Sequence, residues 1–305
     1  MTSKPNSVAM LSLLTGATIW GLIWYPYRII DQAGLNGVAA CMATYAIAFL
    51  LGMVVLRQKL RSELRDLHFS WWLPLIALAA GGCNLGYVLA VLNGEVMRVL
   101  LLFYLSPLWT VLLSRILLNE RLRLEGALVI GLSLCGAVVM LWQPAMGMPW
   151  PQHGAEWIGL GAGFMFAANN VLIRRTGELS IELKSMVSFL GVVLCGAAVL
   201  PWMPPMPQAT LTVEHVFIVV LIGVVLLAVN LVVQYGLTHM NANRAIVILL
   251  FELVVAGLAS WLLANEAMEA REWMGGALII VASLFSGRLN EPVGQPSATP
   301  EAQVT

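Results

Sequence analysis

The chain has 305 residues, of which 60% are hydrophobic and only 10% charged, with a mean hydropathy of +0.86. Soluble globular domains carry about 25% charged residues, so this composition excludes that class and places the chain in a lipid bilayer. Formal net charge is zero, which leaves no basic excess for a nucleic-acid partner.

Continuous apolar runs, each near the ~20 residues that cross the hydrocarbon, give ten expected spans. They lie at 8–28, 35–56, 71–92, 97–117, 124–142, 156–175, 182–202, 214–238, 243–263 and 272–288. Unbroken runs of this kind read as helices, since a membrane barrel would show shorter alternating segments. The first span has Trp20, Trp24 and Tyr27 at i, i+4 and i+7, one aromatic stripe. It lacks a small-residue cleavage site and is expected to remain as an anchor. Span 3 presents Asn84 and Tyr87 three residues apart, and span 4 opens with Arg98, holds Phe103, Tyr104 and Trp109, and ends before Asn119-Glu120. Span 6 contains the adjacent Asn169 and Asn170, and span 8 has Asn230 and Gln234 on one face. Span 9 opens with Arg244, carries Glu252 at its centre and ends before Asn265-Glu266.

Glycines in spans 3, 5 and 6 (Gly81, Gly82, Gly86, Gly126, Gly131, Gly136, Gly159 and Gly163) are expected to let backbones approach closely. Cys41, Cys83, Cys135 and Cys195 lie in four different spans and are expected to be small buried hydrophobes. Trp142, Trp150, Trp157 and Trp202 suit an interfacial aromatic belt. The proline-bearing tail 289–305 is too poor in apolar groups to pack and is expected to be disordered.

Thirteen of the sixteen basic residues fall in connections on the side of the N-terminus, and only Arg28, Arg98 and Arg271 on the other. By the positive-inside rule both termini are expected to be cytoplasmic.

One internal echo organises these spans. Residues 97–120 and 243–266 align at an offset of 146, with identical pairs Arg98/Arg244, Leu112/Leu258, Ser114/Ser260, Leu117/Leu263, Asn119/Asn265 and Glu120/Glu266. The same offset pairs Arg28 with Arg174. Five spans per copy, an odd number, turn the second copy over in the membrane. The expected organisation is an all-α membrane protein of ten transmembrane helices in two inverted five-helix repeats, 1–145 and 146–288. Inverted repeats provide two nearly equivalent packings around a midplane site, the arrangement of an alternating-access transporter.

The tract Leu117-Leu118-Asn119-Glu120-Arg121, then Gly126-Ala127-Leu128-Val129-Ile130 and Gly136, has a second copy in Leu263-Ala264-Asn265-Glu266, then Gly276-Ala277-Leu278-Ile279-Ile280. Together with Trp20-Gly21 these resemble the EamA group of the drug/metabolite transporter superfamily across residues 8–288, and within it the YddG-type aromatic amino-acid exporters. The resemblance implies the ten-helix inverted-repeat fold, residence in a bacterial inner membrane and export of metabolites. In the second copy Phe166-Ala167 replaces Trp20-Gly21, so the symmetry is approximate there.

Glu252 is the outstanding intramembrane group, because an acidic side chain at a helix centre costs about 2.5–3.5 kcal/mol on insertion scales. It is either a proton-coupling or substrate-amine group, or a neutral carboxyl hydrogen-bonded between helices; its repeat mate is Ser106. The amides Asn84, Asn169, Asn170, Asn230 and Gln234 point into the bundle, as interhelical glue or as substrate contacts. With Trp20, Trp24, Tyr87 and Tyr104 they describe a cavity with aromatic walls and neutral hydrogen-bonding groups. Such a cavity suits an amphipathic zwitterion or heteroaromatic better than a sugar phosphate. Arg98 and Arg244 either snorkel to headgroups or close gates with acidic neighbours such as Glu95. Glu120 and Glu266 are expected to tie helix ends to neighbours.

No His-Glu-x-x-His, paired membrane aspartates or Gly-x-Ser-x-Gly occurs in the chain, so an enzyme is not expected. The expected function is export of small amphipathic metabolites, above all aromatic or apolar amino acids; the alternative is a multidrug, nucleobase or other metabolite exporter. The expected partners are a small-molecule substrate, the lipid bilayer and a coupling proton, with no cofactor or metal and a monomer or weak dimer as the working unit.

Overall fold

Hydrocarbon supplies no hydrogen-bond partners, so each backbone N–H and C=O within it must be satisfied by the chain itself. The computed structural model describes residues 4–66, 70–94, 96–142, 145, 147, 150–203, 212–264 and 268–286, and among these every long regular element is helical. In chain order these are α1 (Lys4–Gln32), α2 (Gly37–Val55), α3 (Arg57–Asp66), α4 (Trp72–Asn93), α5 (Val96–Phe103), α6 (Ser106–Leu117) and α7 (Leu124–Leu141). The second half follows as α8 (Gly154–Arg175), α9 (Ile181–Val199), α10 (Val213–His239), α11 (Ala242–Leu249), α12 (Phe251–Ala264) and α13 (Ala270–Phe285). The tail expectation for 289–305, and the expectations on Glu95, Asn265 and Glu266, lie outside the described residues.

Eight segments among the described residues are long and apolar enough to cross a membrane: α1, α2, α4, α5–α6, α7, α9, α10 and α11–α12. The two other expected spans correspond to α8 and α13. α8 is 22 residues long but carries Glu156, Asn169, Asn170, Arg174 and Arg175, and it packs against α4, α5, α6, α10 and α11. α13 is 16 residues long.

Spans 4 and 9, expected as single helices, are each broken. The first half-helices, Val96–Phe103 and Ala242–Leu249, occupy the same eight positions of the two copies at the 146-residue offset. The first break precedes Ser106-Pro107, where proline lacks the N–H that would continue the ladder and suits the first turn of a new helix. The second has no proline. There α1 crosses backbone to backbone, because a Cβ on Gly21 would lie 2.8 Å from the Glu252 carbonyl oxygen. Gly163 of α8 lies against the Phe103 backbone at the first break in the same way.

Packing repeats as the sequence does. Exchanging the halves maps the α1–α10 contact onto α8–α4, α1–α12 onto α8–α6, and α2–α10 onto α9–α4, while α2–α9 and α7–α13 map onto themselves. All of these pairs pack together in the structure. The bundle has two ends: a proximal face, where α1 begins, and a distal face, where α8 and α10 begin. Contacts between ends agree, with Lys184 at the start of α9 donating to Thr238 at the end of α10, and Arg271 at the start of α13 donating to the Trp142 carbonyl after α7. On the proximal face the short basic helix α3 is tied to α9 through Lys59 and Glu182 at 2.5 Å and through Glu63, which accepts from the Ser180 N–H and hydroxyl.

The glycines divide by position. Gly81 lies against Gly191, Gly82 against Met165, Gly86 against Ala162 and Gly159 against Val99, whereas Gly131 faces open space. Of the cysteines, Cys41 and Cys83 are buried and Cys195 partly so, but Cys135 is exposed on the outer side of α7. Three of the four belt tryptophans, Trp150, Trp157 and Trp202, are exposed, and Trp142 bonds the Gly147 carbonyl.

The α7–α13 crossing gives a direct test. A Cβ on Gly136 would lie 2.8 Å from the Gly275 carbonyl oxygen. Gly136→Val is expected to destabilise the folded protein by about 1–3 kcal/mol through overpacking, whereas Gly131→Val is expected to be neutral. Thermal unfolding midpoints in detergent measure both.

Candidate functional site

The two broken helices meet inside the bundle, and their break residues form its chemical centre. Glu252 is in the first turn of α12, where the helix N-terminus favours a negative group. The Tyr104 hydroxyl, at the α5–α6 break, lies beside its carboxylate. Cys83 and Tyr87 of α4 lie within electrostatic reach of the same carboxylate. Around it stands a run of rings in edge or tilted contact, with Phe103 at 5.2 Å from Tyr87, 5.2 Å from Tyr104 and 5.5 Å from Phe166. Tyr104 and Ser106 are almost fully buried, whereas Glu252 and Tyr87 are partly buried. The juxtaposition is one-sided: the repeat mates of Tyr104 and Glu252 are Leu250 and Ser106, which cannot reproduce it.

The remaining polar candidates fall into two groups. Asn84 accepts a 2.8 Å bond from the Tyr45 hydroxyl and donates to the Ala80 carbonyl, joining α4 to α2. The amides of α8 and α10 form a seam. Lys184 bonds the Ile173 and Thr176 carbonyls and the Thr238 hydroxyl, so α8 and α10 end together and run parallel. Arg174 donates to the Thr238 carbonyl, which sets their register. One turn back along each helix are Asn170 and Gln234, both buried, with Asn230 a further turn inward on α10. Asn170 Nδ2, Asn169 Oδ1, Asn230 Oδ1 and Gln234 Oε1 have no protein partner among the described residues. Buried amide groups of this kind are costly unless something polar reaches them.

Of the ten expected binding residues, then, Tyr87, Tyr104 and Glu252 are brought together, and Asn169, Asn170, Asn230 and Gln234 line the seam. The aromatic stripe of α1 is split: Trp20 packs against the buried cluster that includes Leu249 and Val233, Tyr27 bonds Thr44 of α2 at 2.5 Å, and Trp24 meets the edge of Tyr25.

Arg98 and Arg244 are both buried, so neither snorkels to headgroups. On the distal face Arg98 holds Glu156 with two bonds, 2.7 and 3.1 Å, and donates to the Trp150 carbonyl at 2.9 Å. Glu156 in turn accepts from the Gln152 N–H. On the proximal face Arg244 meets the Met10 sulfur at 3.7 Å. Glu120 accepts from the Ala242 N–H at 3.3 Å and from Asn243 Nδ2 at 3.2 Å, capping the start of α11. Burial pushes its carboxyl above the usual range, while those donors and Arg174 pull it back. Glu120 borders a proximal cavity of about 590 Å³ shared with Leu117, Leu118, Asn119, Arg174, Arg175 and Asn241. Asn119 takes a left-handed φ of 54° to make this corner. Among the described residues no three His, Cys, Asp or Glu side chains gather as metal ligands.

A profile of the EamA-like transporter family matches residues 7–142 and again 154–288, once in each half. The chain belongs to the EamA-like transporter family. One relative is the protein RarD of Salmonella typhi, 27% identical over 145 residues, 47% of this chain and 49% of that protein. The chain thus spans about half the length of the curated relatives that it matches first. A second, from Brucella anthropi, is named a riboflavin transporter and is 23% identical over 264 residues, 83% of this chain and 89% of that protein. A solved crystal structure shares the fold at a TM-score of 0.74 and 19% identity, covering 92% of this chain and 98% of its own. These likenesses carry the EamA resemblance and are of RarD type where the relative is so named; they are not specific to the YddG-type exporters.

Lys184 was not visible from sequence as more than a marker of sidedness. The one available signal was its place inside an apolar span. Lys184→Met leaves two carbonyls and the Thr238 hydroxyl without their donor, at an expected cost of about 1–3 kcal/mol. An unfolding midpoint equal to that of the wild type would remove Lys184 from the proximal clamp.

Proposed function

We propose that this member of the EamA-like family is an alternating-access transporter of ten transmembrane helices, in which 1–145 and 146–288 are inverted five-helix repeats. The proximal face is cytoplasmic and the protein resides in a bacterial inner membrane, with the basic residues of the proximal connections as the support. Its substrates are small amphipathic metabolites, and export of aromatic or apolar amino acids in the YddG manner is the finer reading. The observation that carries this is the Tyr104–Glu252 pair at the crossing of two discontinuous helices. Transporters place substrate and coupling-ion groups at such breaks, because half-helix ends offer uncancelled dipoles away from water. Rings supply an apolar wall for an aromatic side chain, and Glu252 supplies an acceptor for an amine or a coupling proton. The working unit is a monomer or weak dimer.

A second reading is a neutral heteroaromatic substrate, such as a flavin, nucleobase or drug. The Brucella relative's name favours it, and the uncharged α8–α10 seam would serve it as well. Glu252 would then carry protons only.

The test is a proteoliposome panel of aromatic amino acids, riboflavin and nucleobases, with and without a proton gradient, on wild type, Glu252→Gln and Tyr104→Phe. Glu252→Gln is expected to lower gradient-driven transport by more than about tenfold, a loss above ~1.4 kcal/mol, with Tyr104→Phe intermediate. Gradient dependence unchanged in Glu252→Gln would remove Glu252 from coupling. Transport of riboflavin without that of any amino acid would decide for the second reading.

A further inference from the structure

The two arginines at the ends of the bundle occupy one position of the repeat, and so do their partners. Arg98 and Arg244 differ by 146, and Glu156 and Met10 also differ by 146. The same contact, between the first turn of a broken helix and the opening of the helix beside it, is therefore made once on each face with different chemistry. On the distal face it is a buried ion pair with bonds of 2.7 and 3.1 Å, supported by the Trp150 carbonyl and the Gln152 N–H. On the proximal face it is a guanidinium against a thioether at 3.7 Å, and Arg244 Nε has no partner among the described residues.

From this we infer that Glu156 and Met10 are positioning residues that set the resting orientation of the transporter, holding it closed at the distal face and ready to open at the proximal one. The inference rests on the alternating-access reading above. Opening the proximal face returns to water a guanidinium that is buried with no carboxylate partner among the described residues, which is favourable. Opening the distal face must separate a hydrogen-bonded pair and rehydrate both members, so it gains far less. At the paired position itself the two ends differ in one side chain, Glu156 against Met10. The proximal cavity of about 590 Å³ lies on the face that this asymmetry favours. With that face cytoplasmic, the protein waits for cargo on the side from which an exporter loads.

Val99 and Ala245, next to the two arginines, are themselves repeat mates and both fully buried, so they make matched reporters. In a background lacking Cys41, Cys83, Cys135 and Cys195, Val99→Cys and Ala245→Cys are labelled with a membrane-impermeant thiol reagent, in spheroplasts and in inverted vesicles respectively. Glu156→Met is expected to raise labelling of Val99→Cys about tenfold and to lower that of Ala245→Cys. Met10→Glu, which removes no contact of the distal face, is expected to lower labelling of Ala245→Cys and raise that of Val99→Cys. Glu156→Gln keeps the shape and should follow Glu156→Met, and the exchange Arg98→Glu with Glu156→Arg should restore the wild-type pattern. Reporters that rise together, or that do not move in Met10→Glu, would overturn the assignment. Substrate counterflow by the wild type in proteoliposomes separates the two levels: unmoved reporters with counterflow intact sink only the gate assignment, while absence of counterflow for every substrate in the panel sinks the transport reading.

Discussion

The rest of the structure depends on the absence of hydrogen-bonding solvent in the hydrocarbon. Helices satisfy their backbones internally, but every helix end placed inside the bundle leaves N–H or C=O groups that something else must meet. This chain places such ends at the α5–α6 and α11–α12 breaks, and charged or polar side chains from distant segments close the others. Glu120 caps α11, and Lys184 gathers the ends of α8 and α10. The close crossings at the breaks are possible only because Gly21 and Gly163 bring backbone against backbone.

Duplication explains the shape and divergence explains the chemistry. The packing pairs are conserved when the halves are exchanged, down to the residue bounds of the first half-helices. Four of the places where the copies part bear on function: Trp20 against Phe166, Tyr104 against Leu250, Ser106 against Glu252, and Met10 against Glu156. Three of these lie at the central crossing and one at the faces. A perfectly symmetric protein would have equal preference for its two orientations and no one-sided acidic group. Departures from symmetry are therefore where direction and coupling can be encoded.

Much of the bundle was legible from the chain because a bilayer imposes simple length and polarity rules. The bounds of the apolar runs follow the helices closely, and Glu252 stood out from its charge alone. Legibility failed where a partner comes from far along the chain. Asn84 and Tyr87 share a face by spacing, yet Asn84 turns to Tyr45 and Tyr87 to Phe103. Arg98 also binds a carboxylate that no local pattern points to, that of Glu156, 58 residues away. The break before Ser106-Pro107 had a proline to announce it, whereas the break at Leu250 follows from how α1 crosses there.

By itself the sequence determined the membrane setting, the rough limits of most apolar spans, and the duplication, because each rests on composition or on a fixed offset along one chain. It also singled out Glu252, since any carboxylate within an apolar span must be accounted for. Only the tertiary structure decided which polar groups meet: Tyr104 with Glu252, Arg98 with Glu156, Lys184 with Thr238. Those pairings depend on helix register and crossing, which are set by small-residue contacts between segments that are remote in sequence, and no local pattern records them.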